Sequence, residues 1–327
     1  MTTAEPEPLP FRVIRPRVAA RPIVAHIPHG ATHIPDDVRA GILLSDADLA
    51  AELVRMTDWR TRELYAWTGR LGATRFANGL SRLVVDPAAG RGRFTDDAQE
   101  PMAEVGQGAV YTRTSLGGPL RREDQAARQA LLDRYFHPYH AALDALVASA
   151  LARFGRCLVL DCHSFATLPL PSEPDQAPGR PDVCIGTDPF HTPPSLVAAL
   201  VEGLRREGFS VEVDRPFSGA LVPLRWYGRD ARVSAVMLEV RRGLYCDERT
   251  SEASPSMRGV SRRLERAVAG AVGEWTTTCE GEIGPLHLAR GQPSQGGSPA
   301  VSCRGRSSRN GDGDHREHNR VDTPIPS

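Results

Sequence analysis

The sequence contains no lysine, so all forty of its formal cations are arginine. Schiff-base lysine chemistry and the lysine of a phosphate-binding P-loop are therefore excluded. The guanidinium group of arginine remains as the strong cationic group that can bind a carboxylate. Forty Asp and Glu residues balance the arginines. This balance argues against nucleic acid or an anionic membrane surface as a partner.

Paired cysteines and long apolar runs are also missing. The six cysteines form no C-x-x-C pair, which favours a reduced setting over a disulfide framework. The N-terminus has no apolar signal-peptide core, and no stretch approaches the ~18 apolar residues of a membrane span. We therefore expect a cytoplasmic protein without a membrane partner. The sequence does not indicate an oligomeric state.

Composition divides the 327 residues into three parts. Residues 1–20 are rich in proline and arginine and are predicted to be irregular, and 21–275 are predicted to form one domain with its own core. Residues 276–327 are rich in Gly, Ser, Pro and Arg and are predicted to be disordered, because they have few apolar residues to bury. The tail histidines, His315 and His318, fit a solvated segment better than a metal site.

Within the domain, predicted strands alternate with predicted helices, which indicates an α/β fold with a mixed, largely parallel sheet. Two long loops are predicted at 87–118 and 166–181, and the first is expected to form a lid over the site. Strands are predicted at 22–27, 72–77, 81–86, 157–161, 182–186, 209–214 and 232–240. Helices are predicted at 46–67, 120–154 (kinked or broken at Pro138), 194–207 and 256–275.

Histidines stand where two predicted buried strands give way to loops, in AHIPHG (25–30) and LDCHS (160–164). Strand ends are where ligands bind in open α/β sheets, and imidazole suits zinc. His26 and His29 of the first segment, and His33 in the loop that follows it, are all candidates. We favour His29, which lies beyond the strand next to Gly30, and we interpret His26 as a supporting or core residue.

In the second segment, strand alternation places Asp161 and His163 on one face and Cys162 on the other. A Cys162 nucleophile activated by the neighbouring histidine is therefore geometrically awkward. His163 is the candidate metal ligand of this strand.

Two carboxylates complete the candidate chemistry. Asp58 is placed on the predicted helix 46–67, where aspartate has poor propensity; it is either a metal ligand or half of an i,i+4 pair with Arg62. Glu239 follows the apolar run SAVML in a predicted central strand. It is either a general base or a structural partner of Arg241 or Arg242.

Many segments of residues 20–272 resemble the N-formylglutamate amidohydrolase family in order and spacing. They include AHIPHG, NGLSRLVVDP, DDAQEPM, GAVYTRTSLGGPLR, YFHPYH, LVLDCHSF, RPDVCIGTDPFHTP, PFSGALVPL and LEVRRGLYCDE. The resemblance implies a metal-dependent hydrolase that cleaves N-formyl-L-glutamate to formate and L-glutamate, at the end of a histidine degradation route. It also implies a three-layer α/β/α sandwich similar to zinc carboxypeptidases and aminoacylase-like enzymes.

By the same resemblance, a divalent metal, zinc by preference, is bound by His29, Asp58 and His163, and Glu239 is the base. His26 and Asp161 are expected to support these ligands. The substrate is a small dicarboxylate, which guanidinium groups recognise well. Arg82, Arg113 and Arg241 are therefore the candidate substrate ligands, with a solvated surface position as the alternative for each.

Two other functions remain open at this stage. One is a related N-acyl-amino-acid hydrolase of the aspartoacylase or succinylglutamate desuccinylase type, because the size of the acyl pocket is not visible in the sequence. The other is a binding protein for small acidic ligands without turnover, because a fold and a bound metal do not establish catalysis.

Overall fold

In the computed structural model, residues 9–89 and 101–278 are described. Their centre is a seven-stranded sheet with the order β1-β3-β2-β4-β7-β5-β6. The strands are β1 Phe11–Ile14, β2 Ile23–Ile27, β3 Thr74–Asn78, β4 Cys157–Phe165, β5 Val183–Gly186, β6 Val211–Val213 and β7 Val233–Arg241. Neighbours β3, β2, β4 and β7 are parallel, while β1 pairs antiparallel with β3 and β5 pairs antiparallel with β7. The predicted mixed, largely parallel sheet is confirmed.

Helices cover both faces of this sheet. The α-helices are α1 Asp36–Arg39, α2 Asp46–Met56, α3 Thr61–Leu64, α4 Pro101–Glu104, α5 Gln125–Leu131, α6 His137–Phe154, α7 Pro194–Arg206 and α8 Met257–Thr278. Shorter turns of 3₁₀-helix occupy Ala66–Gly69 and Arg242–Leu244, and a π-helical turn occupies Leu132–Phe136. The π turn lies directly before Pro138, where the sequence predicts a kink.

Alternation along the strands sorts the core into two layers. On β4, Leu158, Leu160 and Cys162 pack in the core with α7 and α8, whereas Val159 packs with α6 on the opposite face. The three-layer α/β/α arrangement is confirmed. Cys162 thus faces away from Asp161 and His163, as the alternation predicts.

Three sequence predictions are wrong in detail. The predicted helix 46–67 ends at Met56, because the chain then turns, with Arg60 in the left-handed region at φ 62°. The predicted strand 81–86 is a turn, since the Ser81 hydroxyl and carbonyl accept hydrogen bonds from Leu83 and Val84. Residues 1–20 are not wholly irregular, because Phe11–Ile14 forms the edge strand β1.

The Ser45 hydroxyl accepts a hydrogen bond from the backbone N–H of Asp48 and so caps α2. Two predicted segments lie wholly or partly outside the described residues. Residues 90–100 of the predicted lid, and the predicted tail beyond Thr278, lie outside the described residues. Among the described helices, none has the length and apolar character that crossing a bilayer requires.

Candidate metal centre and cleft

His29, Asp58 and His163 meet at the carboxyl edge of the parallel strands, and we call these three residues the ligand cluster. One possible ligand atom from each lies within 4.8 Å of the others, and all three side chains are buried. The Asp58 Oδ2 atom is 3.6 Å from His29 Nδ1 and 3.5 Å from His163 Nδ1. The structure thus brings together the three residues that the resemblance assigned to the metal.

The distal nitrogen of His29 is held by a carboxylate. Its Nε2 lies 2.8 Å from Asp86 Oδ1, whereas its Nδ1 is buried and has no hydrogen-bond partner. Metal-binding histidines commonly donate their second ring N–H to a carboxylate, which orients the ring and fixes the tautomer. The orphaned Nδ1 beside Asp58 therefore fits a metal ligand.

His163 is held in the same way by Asp161. The Nε2 atom of His163 is 2.7 Å from Asp161 Oδ1, which also lies 2.7 Å from His26 Nδ1. The other ring nitrogen of His26 is 2.7 Å from the Tyr139 hydroxyl. His26 and Asp161 therefore lie behind His163, in the supporting position that the sequence analysis expected. Their role stays a prediction.

Asp58 is placed by a turn and not by a helix, which corrects the sequence prediction. The Asp58 N–H donates to the His29 carbonyl at 3.1 Å, and the Asp58 side chain accepts from the Ser164 N–H at 3.1 Å. A Cβ at Gly30 would lie 2.6 Å from Thr61 Oγ1, so glycine permits this close approach. The alternative partner, Arg62, donates to the Asn78 carbonyl instead.

The buried carboxylates behind and within the ligand cluster stay ionised. Burial opposes the charged form, but the histidines outweigh burial and hold the pKa of Asp58 and of Asp161 well below the usual range. Burial also disfavours a charged His163, yet Asp161 outweighs it and raises the pKa of His163 to about 10. A site with this excess of fixed negative charge and imidazole is suited to a divalent cation.

Glu239 faces the same space from β7. It stands opposite His163 in the parallel ladder between β4 and β7, and its side chain is buried. The Tyr65 hydroxyl lies 3.0 Å from the carbonyls of His163 and Leu238 and so bridges the two strands next to the site. Glu239 therefore lines a cleft together with the ligand cluster.

The three arginines predicted to bind substrate occupy different places. Arg82 lines the cleft, but its guanidinium pairs with Asp86 at 2.6 Å. Arg113 is exposed and donates to the Gly117 carbonyl, and Arg241 pairs with Asp182. Neither of these two lies among the residues that line the cleft.

Sequence reasoning missed three residues of the site. Asp86, which holds His29, also accepts hydrogen bonds from Arg82 and Tyr111. Its signal was its place in NGLSRLVVDP, one of the segments that carry the resemblance. Arg55 and Arg242 line the cleft, and Arg242 had been considered only as a structural partner of Glu239.

Known proteins of one family match this chain in sequence and in structure. A sequence model of the N-formylglutamate amidohydrolase family matches residues 21–246. The N-formylglutamate deformylase of Pseudomonas aeruginosa is 30% identical over 257 residues, which cover 74% of this chain and 91% of the relative. The deformylase of the same name from Pseudomonas putida is 28% identical over 236 residues, which cover 69% and 82%.

A solved structure agrees with these sequence matches. The crystal structure of N-formylglutamate amidohydrolase from Ralstonia eutropha JMP134 superposes with a TM-score of 0.70 at 26% identity, covering 83% of this chain and 99% of that one. The range matched by the family model contains the ligand cluster and Glu239. This chain belongs to the N-formylglutamate amidohydrolase family.

Proposed function

We propose that this protein hydrolyses the N-formyl amide of N-formyl-L-glutamate to formate and L-glutamate, with one divalent metal ion, preferably zinc, held by the ligand cluster. The observation that carries the proposal is the convergence of two histidine Nδ1 atoms on Asp58, while Asp86 and Asp161 hold the opposite ring nitrogens. Two imidazoles and one carboxylate form a typical ligand set of a catalytic zinc site.

A bound ion of this kind supplies Lewis-acid chemistry, activating water and polarising the scissile carbonyl. The residues of the chain prepare that chemistry. With the ion bound, Asp86 and Asp161 would accept the Nε2–H protons of His29 and His163, so that both Nδ1 lone pairs would be available to the ion beside Asp58. Burial of the whole set excludes competing hydrogen bonds from solvent.

Glu239 moves the proton. Its carboxylate accepts a proton from the attacking water and delivers it to the glutamate nitrogen as the C–N bond breaks. Water contributes its oxygen to formate, and the leaving nitrogen departs as an amine and not as an unstable amide anion. Glu239 is suited to this role by its position opposite His163, at the wall of the cleft.

The test combines metal analysis with a formate-release assay on the purified full chain. We expect about one divalent ion per chain, formate release from N-formylglutamate, and loss of activity after chelation that added zinc restores. N-acetylglutamate and N-formylaspartate are the comparison substrates. Preference for the acetyl compound would instead identify a related N-acyl-amino-acid hydrolase. Tight binding of all three compounds without turnover would identify a binding protein, and activity that survives complete metal removal would reject the metal centre.

A further inference from the structure

Arg242 is the first residue of the 3₁₀ turn that follows β7, three residues after Glu239. The residue is 4% exposed, and it lines the cleft together with the ligand cluster and Glu239. A guanidinium group is thus almost fully buried beside the candidate catalytic groups.

The hydrogen bonds of Arg242 leave part of its charge without a partner. Its Nη1 donates to two main-chain carbonyls, those of Val54 at 3.4 Å and Arg55 at 3.2 Å, while its Nε is buried without a hydrogen-bond partner. Among the residues that the structure describes, no carboxylate forms an ion pair with Arg242.

The other cationic groups near the cleft differ in this respect. Arg55 pairs with Glu52 at 2.9 Å, and Arg82 pairs with Asp86 at 2.6 Å. Glu173 also lines the cleft and could have balanced Arg242, but it is paired with Arg180. Glu52, Asp86 and Glu173 are therefore each engaged by another arginine.

A buried guanidinium that contacts no counter-ion is costly, because it loses its hydration and gains only weak Coulomb attraction in return. The cost is offset if an anion enters the cleft. A carboxylate suits this position, because its two oxygens match the planar guanidinium group. The two main-chain carbonyls that accept hydrogen bonds from Arg242 are neutral and leave its positive charge uncompensated.

We propose that Arg242 binds a carboxylate of the amino-acid half of the substrate and thereby makes the enzyme select acidic N-acyl amino acids. This inference rests on the proposed function, because it assigns the substrate of the same cleft. In this role Arg242 replaces Arg241, which the sequence analysis had predicted to bind substrate. The Arg241 side chain instead pairs with Asp182, next to β5.

The backbone that carries Arg242 is held closely, and its guanidinium is held by the carbonyls of Val54 and Arg55. A Cβ at the next residue, Gly243, would lie 2.5 Å from Thr167 Oγ1. Thr167 is itself fixed by two hydrogen bonds to Glu248, at 2.8 Å from its N–H and 3.0 Å from its hydroxyl. An arginine fixed in this way loses less conformational entropy when it binds a substrate carboxylate than a mobile surface arginine would.

The test uses three substrates that differ in a single charge: N-formylglutamate, N-formylglutamine and N-formylisoglutamine. The last two have the side-chain or the α-carboxylate replaced by an amide. We expect Arg242→Gln to lower kcat/KM for N-formylglutamate by roughly 30- to 1000-fold. The monoamide that lacks the carboxylate bound by Arg242 should lose far less, so the preference for the diacid over that monoamide should collapse. Arg242→Lys should not restore it, because an ammonium cannot reproduce the planar fork.

Arg232→Gln is the matched control, because Arg232 precedes the same strand, is 62% exposed and pairs with Asp230. It should leave the selectivity unchanged. A loss in Arg242→Gln that is equal for all three substrates would overturn the proposal, as would wild-type kinetics. Melting temperature and metal content of each variant separate a folding defect from a lost contact.

Calorimetric binding of L-glutamate distinguishes failure of this inference from failure of the proposed function. If wild-type protein releases no formate from any substrate but binds L-glutamate, and Arg242→Gln abolishes that binding, the proposed reaction is rejected and the carboxylate site stands. If Arg242→Gln binds L-glutamate as wild type does, or wild type binds neither L-glutamate nor N-formylglutamate, the carboxylate site is rejected.

Discussion

The ligand cluster and Arg242 face one cleft, but they differ in charge. The surroundings of the ligand cluster have an excess of negative charge, whereas those of Arg242 leave a positive charge uncompensated. Around the ligand cluster, three buried aspartates, Asp58, Asp86 and Asp161, contact three histidines and one arginine. Around Arg242 the two hydrogen-bond acceptors are neutral carbonyls. Under the two proposals, the cleft receives two unlike ligands, a cation on one side and a carboxylate on the other.

The two sides also differ in how their geometry is held. Each histidine of the ligand cluster is oriented by a side-chain carboxylate, His29 by the sequence-distant Asp86 and His163 by Asp161 of the same strand. Arg242 is positioned mainly by backbone, through carbonyls of α2 and the tight turn at Gly243. Mutations behind the histidines should therefore change metal binding, while mutations near Arg242 should change substrate selection. The predictions that follow test this division.

The largest effect is expected for His163→Ala, which removes a proposed metal ligand. The metal content should fall from about one ion per chain to near zero, and formate release should disappear. The exposed His137, 3.6 Å from Asp133, provides the control variant His137→Ala, which should keep its metal. Elemental analysis and circular dichroism on the same preparations measure metal and fold. Stoichiometric zinc in a folded His163→Ala protein would reject the ligand cluster.

The next effect is expected for Glu239→Gln, which keeps shape but removes the base. The kcat for formate release should fall by the ~10² to 10⁴ that is typical of general acid–base catalysis, with metal content and L-glutamate binding retained. Steady-state kinetics and metal analysis check this. If Glu239 is structural instead, the melting temperature should fall while kcat per folded, metal-loaded molecule stays near that of wild type.

A smaller effect is expected for Arg82→Gln, and it separates two roles for this arginine. If Arg82 acts through Asp86 on His29, metal affinity should fall by roughly 10- to 100-fold, as for other partners of metal ligands. Asp86→Ala should lower metal affinity by a similar factor. The double variant should bind metal only slightly more weakly than either single variant. A chelator competition titration measures the affinity. Unchanged metal affinity with a raised KM would instead support the sequence-based role of Arg82 as a substrate ligand.

The smallest effects are expected for Arg113→Gln and Arg241→Gln. Arg113 is exposed and Arg241 is engaged by Asp182 outside the cleft lining, so each change should cost no more than about 1 kcal/mol, or roughly fivefold in kcat/KM. Kinetics with N-formylglutamate and N-formylglutamine measure both variants. A selective loss for the diacid in either variant would return that arginine to the substrate site and weaken the case for Arg242.

Much of the ligand cluster could be anticipated because its signals are local. The histidine segments follow buried apolar runs, and alternation predicts correctly that Asp161 and His163 share one face of β4. Parallel strands place such ends at one edge of the sheet, which brings the segments together without any knowledge of contacts. The strand–helix alternation likewise predicted the fold class.

Other features depended on turns whose cause lies outside the local pattern. The helical spacing after Ser45 continues past Met56, yet the chain leaves the helix there because the Asp58 N–H bonds to the His29 carbonyl. The apolar run at 81–86 is a turn packed in a separate core cluster with Val38 and Tyr135, and not a strand. Tertiary contacts outweighed local propensity in both places.

By itself, the sequence determined which chemical groups were available and on which side of each strand they stand, because side-chain alternation follows directly from strand geometry. The absence of lysine left arginine as the strong cationic partner for a carboxylate, and the histidine segments pointed to one edge of the sheet as the candidate metal site. Only the tertiary structure decided the partners: Asp86 for His29, Asp182 for Arg241, and the cleft for Arg242. These hydrogen-bond and ion-pair partners lie in distant segments or where a strand ends in a turn. A side chain becomes buried only when the layers of the fold pack together.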